Sequence, residues 1–247
     1  NTIQQVYPTN TWGKKYIAVP SSGRPFNIYR VLKSSAGAWV FVDGALIPPG
    51  NFVNDLYYEF SGTGTHVIES DEPIMLAQYF TTQSCNGNKG VNDPEMLFIN
   101  PVEQTISNVT LNSTPNFRIQ DHYINIVIKN EGTAINSLLL DGSNIGSSFS
   151  SLPEDPLYSF AQVKVAEGRH QLVSDSGFNA IAYGFGPTES YGYSAGTNVQ
   201  DLYQYVSIRN EYATVNFPAG CDESPFHLSA VFPYQPLTLN WQFNGLF

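Results

Sequence analysis

Residues 66–80 read His-Val-Ile-Glu-Ser-Asp-Glu-Pro-Ile-Met-Leu-Ala-Gln-Tyr-Phe, and residues 170–185 read His-Gln-Leu-Val-Ser-Asp-Ser-Gly-Phe-Asn-Ala-Ile-Ala-Tyr-Gly-Phe. His66, Ser70, Asp71 and Tyr79 fall on His170, Ser174, Asp175 and Tyr183, all 104 residues apart. Upstream, Val42-Asp43-Gly44 falls on Leu140-Asp141-Gly142 at a spacing of 98. Each Asp-Gly pair follows an apolar run, the pattern of a strand entering a tight hairpin turn. Between the two matches, Leu56-Tyr57-Tyr58-Glu59-Phe60 corresponds to Leu157-Tyr158-Ser159-Phe160. One unit of about a hundred residues, an ordinary domain size, therefore occurs twice.

Each copy is built from short strand-like runs divided by turn residues. The first holds Tyr16–Val19, Phe26–Leu32, Trp39–Val42, Leu56–Phe60, His66–Ile68 and Ile74–Phe80. The second holds Met96–Ile99, Ile106–Leu111, Tyr123–Ile128, Ser137–Leu140, Tyr158–Val165, His170–Val173 and Phe178–Phe185. Along Tyr123–Ile128, Ile124, Ile126 and Ile128 point one way while Asn125 and Val127 point the other, as in a half-buried strand. No stretch keeps helical periodicity over three turns, and Asn198 to Arg209 alternates as a strand as readily as it forms a helix. The expected fold is all-β. It comprises two tandem related antiparallel β-sandwiches, at 1–95 and 96–206, and the opening strands of a third immunoglobulin-like sandwich at 207–247.

Composition agrees. Aromatic residues make up 14% of the 247 residues, and charged residues only 13%, about half the usual share. The net charge of −10 argues against sequence-independent nucleic-acid binding, which needs clustered Lys and Arg, and against an anionic membrane surface. No apolar run is long enough to span a bilayer, so direct membrane insertion is not expected. The chain starts without a Met or a signal segment and stops just after the strand-like Leu237–Phe243. It is expected to be a piece of a longer multidomain protein.

Several constellations bear on chemistry. Gly192-Tyr193-Ser194-Ala195-Gly196 fits the G-x-S-x-G elbow of serine hydrolases, and Asp201 and His227 follow in the order such enzymes use. The elbow needs a strand before it and a helix after it, and Gly186–Tyr191 reads as a loop. The Ser194 hydrolase is therefore the remote alternative, and no enzymatic activity is expected. His66 and His170 recur with the duplication, which favours a shared structural bond, to a turn carbonyl, over a catalytic or metal role. The acidic loops Asn92-Asp93-Pro94-Glu95, Pro153-Glu154-Asp155-Pro156 and Cys221-Asp222-Glu223 offer oxygen ligands for Ca²⁺, but their spacing fits no known Ca²⁺ loop and a solvated surface explains them. No other metal or cofactor is expected. Cys85 and Cys221 leave three readings open: a disulfide between them, two free thiols, or partners elsewhere.

Three longer strings resemble a known family. They are Trp12-Gly13-Lys14-Lys15-Tyr16-Ile17-Ala18-Val19-Pro20; Asp93-Pro94-Glu95-Met96 with Asn100-Pro101-Val102-Glu103-Gln104-Thr105-Ile106; and Ile181–Gly186 with Glu189–Asn198. Over residues 5 to 206 the chain resembles the IgGFc-binding protein N-terminal domain family. The tail, with Cys221, Pro225-Phe226 and Trp241-Gln242-Phe243, resembles the start of a PKD-like sandwich, although Asn244-Gly245-Leu246 replaces the usual Gly-Asp-Gly. The resemblance implies a large secreted protein at the cell surface. In the Bacteroidota such arrays look like adhesins or gliding-associated proteins exported by the type IX system. It supplies no catalytic residues. The leading expectation is a non-enzymatic extracellular structural or adhesive module whose partners are neighbouring domains and a surface protein or glycan. The alternative is a carbohydrate-binding module, with Tyr191 and Tyr193 as its stacking platform.

Overall fold

A computed structural model describes residues 4–82, 85, 93–116 and 118–199, then residue 202, the strands at 205–210 and 226–231, and residues 238 and 240. The first copy contributes β1 (Lys15–Ala18), β2 (Asn27–Lys33), β3 (Val40–Val42), β4 (Ala45–Leu46), β5 (Tyr57–Gly62), β6 (His66–Ser70), β7 (Ile74–Phe80) and β8 (Glu95–Ile99). They form two antiparallel sheets, in the orders β1-β6-β3-β4 and β5-β2-β7-β8. Tyr16, Ala18, Val40 and Ile68 from one sheet meet Tyr29, Val31, Leu76 and Leu97 from the other in a single core.

The second copy repeats this plan with β9 (Ile106–Ser113), β10 (Asp121–Lys129), β11 (Leu139–Leu140), β12 (Ser143–Asn144), β13 (Ser150–Ser151), β14 (Tyr158–Val165), β15 (Gly168–Phe185) and β16 (Ser190–Ser194). The first part of β15 pairs with β9 and β11, and the rest pairs with β10 and β16. The orders β9-β15-β11-β12 and β14-β10-β15-β16 thus match those of the first copy. The main difference lies at Pro73, where the first copy divides into β6 and β7. Gly177 stands there in the second copy, and β15 runs through as one strand of 18 residues with a register shift between Val173 and Phe178. The all-β, antiparallel expectation holds.

Some details differ from the sequence reading. Ser137 ends the short helix α1 (Ala134–Ser137) instead of starting a strand. Ser190 and Tyr191, the end of the Gly186–Tyr191 loop reading, begin the strand β16, because β15 offers it a paired edge. Ladder register sets Tyr57 opposite Leu32 and Phe160 opposite Val127, two residues away from the Tyr57–Tyr158 match of the sequence. The 95/96 division falls at the start of β8, which pairs with β7, and the chain passes from one copy to the next at Asn100-Pro101.

Residues 1–199 form one compact unit and residues 200–247 another. The second unit contains β17 (Tyr205–Asn210) and β18 (Phe226–Val231), an antiparallel pair that sets Tyr205 opposite Val231. The 206/207 division therefore lies within β17. The strand-like runs at Val215–Phe217 and Leu237–Phe243 fall outside the described residues, apart from 238 and 240.

The two copies share core. Ile181, Tyr183 and Phe185 of β15 belong to the first copy's hydrophobic cluster, with the Phe80 ring 5.3 Å from Tyr183 and 5.5 Å from Phe185. Ile17 of β1, Val19 just after it and Val67 of β6, on the outer face, pack on Leu152, Val127 and Phe160. Ala18 opposite His66 matches Leu111 opposite His170, so the second copy's equivalents of these three residues are Thr110, Asn112 and Gln171. All three are exposed. At the other end Trp12, with Tyr7, packs over Leu32, Met75 and Ala77 of the first copy's outer sheet face. The stack of two is closed by a polar face at one end and by its own leading segment at the other, as terminal repeats require.

Two expectations follow. A Cβ on Gly13 would lie 2.2 Å from Pro101 Cβ, so Gly13→Ala should cost about 1–3 kcal/mol, read as a lower urea midpoint. Replacing Thr110, Asn112 and Gln171 by Ile, Val and Val should create a second docking face and concentration-dependent self-association. Sedimentation velocity checks this, and a triple variant that stays monomeric would contradict it.

Candidate functional site

Each copy carries the same clamp. Asp43 and Gly44 have φ of 51° and 77°, and Asp141 and Gly142 have φ of 52° and 79°. Positive φ at both central residues is the hairpin turn that Asp-Gly favours. His66 Nδ1 donates to Asp43 Oδ2 at 2.7 Å, and Val67 N donates to Asp43 Oδ1 at 2.8 Å. His170 Nδ1 and Gln171 N reach Asp141 at the same 2.7 and 2.8 Å. Each histidine pins the Asp-Gly turn through the turn's carboxylate, and His170 also bonds a turn carbonyl, as expected, at Ala166 between β14 and β15. The outer nitrogens differ. His170 Nε2 donates to Ala166 O at 2.9 Å, whereas His66 Nε2 lies over Gly62, where a Cβ would sit 1.9 Å away.

Desolvation opposes charge on Asp141, but the hydrogen bonds from His170 and Gln171 outweigh it and hold the carboxyl below the usual range.

The three family-like strings meet at the joint between the copies. Lys14 N donates to Glu103 Oε1 at 3.0 Å, and Val102 N to Lys15 O at 3.1 Å. Gln104 Nε2 donates to Thr11 O at 2.7 Å. Asn100 Nδ2 donates to Ser194 Oγ at 2.7 Å and to Gly196 O at 2.8 Å. Tyr183 Oη donates to Asn125 Oδ1 at 2.9 Å and accepts from Ser22 N at 2.8 Å, while Asn125 Nδ2 donates to Pro20 O at 2.9 Å. Burial raises the Tyr183 hydroxyl far above its ordinary value.

This network also accounts for several sequence candidates. Ser194 sits on β16, engaged by Asn100, and among the described residues no helix follows it. Asp201 lies outside the described residues, and His227 stands on β18 of the other unit. In the acidic loop at 153–156, Asp155 pairs with Lys15 at 2.6 Å and Glu154 accepts from Thr65 at 2.9 Å, both across the joint. Glu95 is half-buried, and burial raises its carboxyl. Asn92, Asp222 and Glu223 lie outside the described residues. Among the described residues no three His, Cys, Asp or Glu side chains are grouped closely enough to hold a metal ion. Cys85 is exposed; Cys221, its partner in the disulfide reading, lies outside the described residues.

The Tyr191 and Tyr193 rings stack on each other, with centroids 6.0 Å apart and planes at 27°. Both are half-buried. Tyr193 Oη accepts from Asn112 N at 3.0 Å and donates to Asn112 O at 2.9 Å, and Tyr191 Oη lies 3.1 Å from His122 Nδ1. Burial pushes the Tyr191 hydroxyl up to about 12. The pair braces β16 against β9 and β10. The residues that sequence reading missed are Asn100, Asn125 and Asn179. Asn100 stood in a family-like string with no role assigned, and the bonds of all three reach backbone far away in sequence, at Gly196, Pro20 and Pro101, which no local pattern shows.

The class of protein is therefore a fused pair of antiparallel sandwiches held by an asparagine- and tyrosine-rich joint. The family model for the IgGFc binding protein matches residues 1–184, and the chain belongs to that family. No curated protein and no solved structure matches it.

The clamp makes a pH-dependent prediction. A carboxyl held low in the fold adds stability above its unfolded value of about 3.9, and that stability is lost as pH falls through the lower folded value. Asp141→Asn should lower the urea midpoint near neutral pH and flatten its decline below about pH 4. His170→Ala should cost about 1–3 kcal/mol near neutrality. An unchanged acid limb in Asp141→Asn would show that the clamp is energetically idle.

Proposed function

We propose that the chain is a non-catalytic structural and adhesive module of a large extracellular protein at the cell surface, built to hold a binding tip away from the cell. What carries this reading is the use made of the family-like strings. Glu103, Gln104, Asn100, Ser194 and Tyr183 are spent joining the copies and do not converge on an open reaction site. A shared core makes the pair stiff, which suits a stalk, and weak contacts repeated along a stalk add through effective concentration. The finer reading is an adhesin or gliding-associated protein of Bacteroidota type, exported by the type IX system. In it β17 and β18 open a PKD-like sandwich. Fc binding, which the family's name states, is not part of this proposal.

Two measurements test it. An antibody against the chain should label intact source cells, and labelling only after permeabilisation would refute the location. Pulled from its ends by a force probe, the pair should release in one event of roughly 600 Å, for about 185 residues at 3.3–3.6 Å each. Two separate releases of half that length would show that the copies are independent beads, without the stiffness the proposal needs.

A further inference from the structure

A cavity of about 210 Å³ opens where the outer face of β10, β14 and β15 extends past the edge of the first copy. Val127, Asn179 and Tyr158 line it on the sheet, Thr105 closes it from the segment joining the copies, and Lys129 and Glu131 stand at its mouth. The duplication supplies a control. Val127 opposite Asn179 corresponds to Leu32 opposite Met75. In the first copy those two side chains are apolar and lie beneath Trp12. In the second copy Val127 is covered in part by Ile17, Val19 and Val67 of the first copy, the methionine position is an asparagine, and a cavity remains beside them.

Asn179 is 9% exposed. Its Nδ2 donates to Pro101 O at 2.9 Å, but its Oδ1 has no partner. A buried acceptor left unmatched costs about 1–3 kcal/mol, and such a group in a native fold calls for an explanation. That oxygen has no accessible surface, so it marks a polar wall beside the cavity and is not itself a ligand contact. The rest of the wall limits what the ligand is. Lys129 Nζ and Glu131 Oε2 pair at 2.6 Å, so the mouth offers donors and acceptors with no net charge to attract an ion. Tyr158 and Val127 give apolar surface, and Thr105 gives a hydroxyl that both donates and accepts. Apolar walls with a few converging polar groups are the usual make-up of a small-ligand site.

We propose that this cavity binds a neutral polyhydroxylated ligand the size of one sugar ring. The ring's C–H face lies on Tyr158 and Val127, and its hydroxyls reach Thr105 and the Lys129–Glu131 pair. The proposal does not depend on the stalk reading and lies away from Tyr191 and Tyr193.

Saturation-transfer NMR on the full chain tests it, using the methyl glycosides of glucose, galactose, mannose and N-acetylglucosamine at about 20 mM each. At least one should bind, with Kd near 1 mM. Asn179→Met, which installs the first copy's residue, should weaken binding at least about tenfold. Glu131→Ala, at the exposed mouth, should also weaken it, and it keeps the test valid if Asn179→Met does not fold. No transfer from any of the four glycosides would overturn the proposal, as would binding that Glu131→Ala leaves unchanged. In the first case the cavity and the void of about 20 Å³ behind Asn179 hold only water.

Discussion

The second copy's main sheet is apolar on both faces, and the rest of the architecture depends on this. On β10 and β15, Ile124, Ile126, Ile128, Phe178 and Ala180 face the second copy's own core. Ile181, Tyr183 and Phe185 point the other way and are just as buried. Leaving such a face in water would forfeit roughly 1.5–3 kcal/mol for each large side chain. The first copy covers it, so the two sandwiches cannot swing independently. Asn125, on that same face and 2% exposed, is tolerated because Tyr183 and the carbonyl of Pro20 take up its hydrogen bonds.

The joint is directional. Ile17, Val19 and Val67 dock, while their counterparts Thr110, Asn112 and Gln171 stay in water. A duplication that kept both faces apolar would present an open end able to recruit further copies without limit. Three polar substitutions and one tryptophan remove that hazard. The duplicated fold thereby acquired two different ends, and the cavity beside Asn179 sits where the covering of one face stops.

Much of this was legible in the residues. The two Asp-Gly pairs and the two histidines, read as parallel features, are halves of one clamp, and their joint recurrence at spacings of 98 and 104 was the available clue. Strand positions were also readable, because alternation and turn residues act locally. The loop reading of Gly186–Tyr191 missed the start of β16 because Gly186, Pro187 and Gly192 interrupt the strand pattern around Tyr191 and the strand exists only by pairing with β15. Asn125 was expected on a half-wet face, since alternation reports which face of a strand points inward but not what covers the other.

By itself, then, the amino-acid sequence determined an antiparallel all-β chain, its duplication and the turns that shape each copy. These rest on neighbours a few residues apart or on the chain's own repetition. Tertiary structure alone decided that the copies share a core, that Tyr191 and Tyr193 brace a strand, and that Asn179 borders an open cavity where Met75 is covered. Each of these is set by contacts between residues dozens to more than a hundred positions apart, and burial by a distant partner leaves no local pattern in the residues it covers.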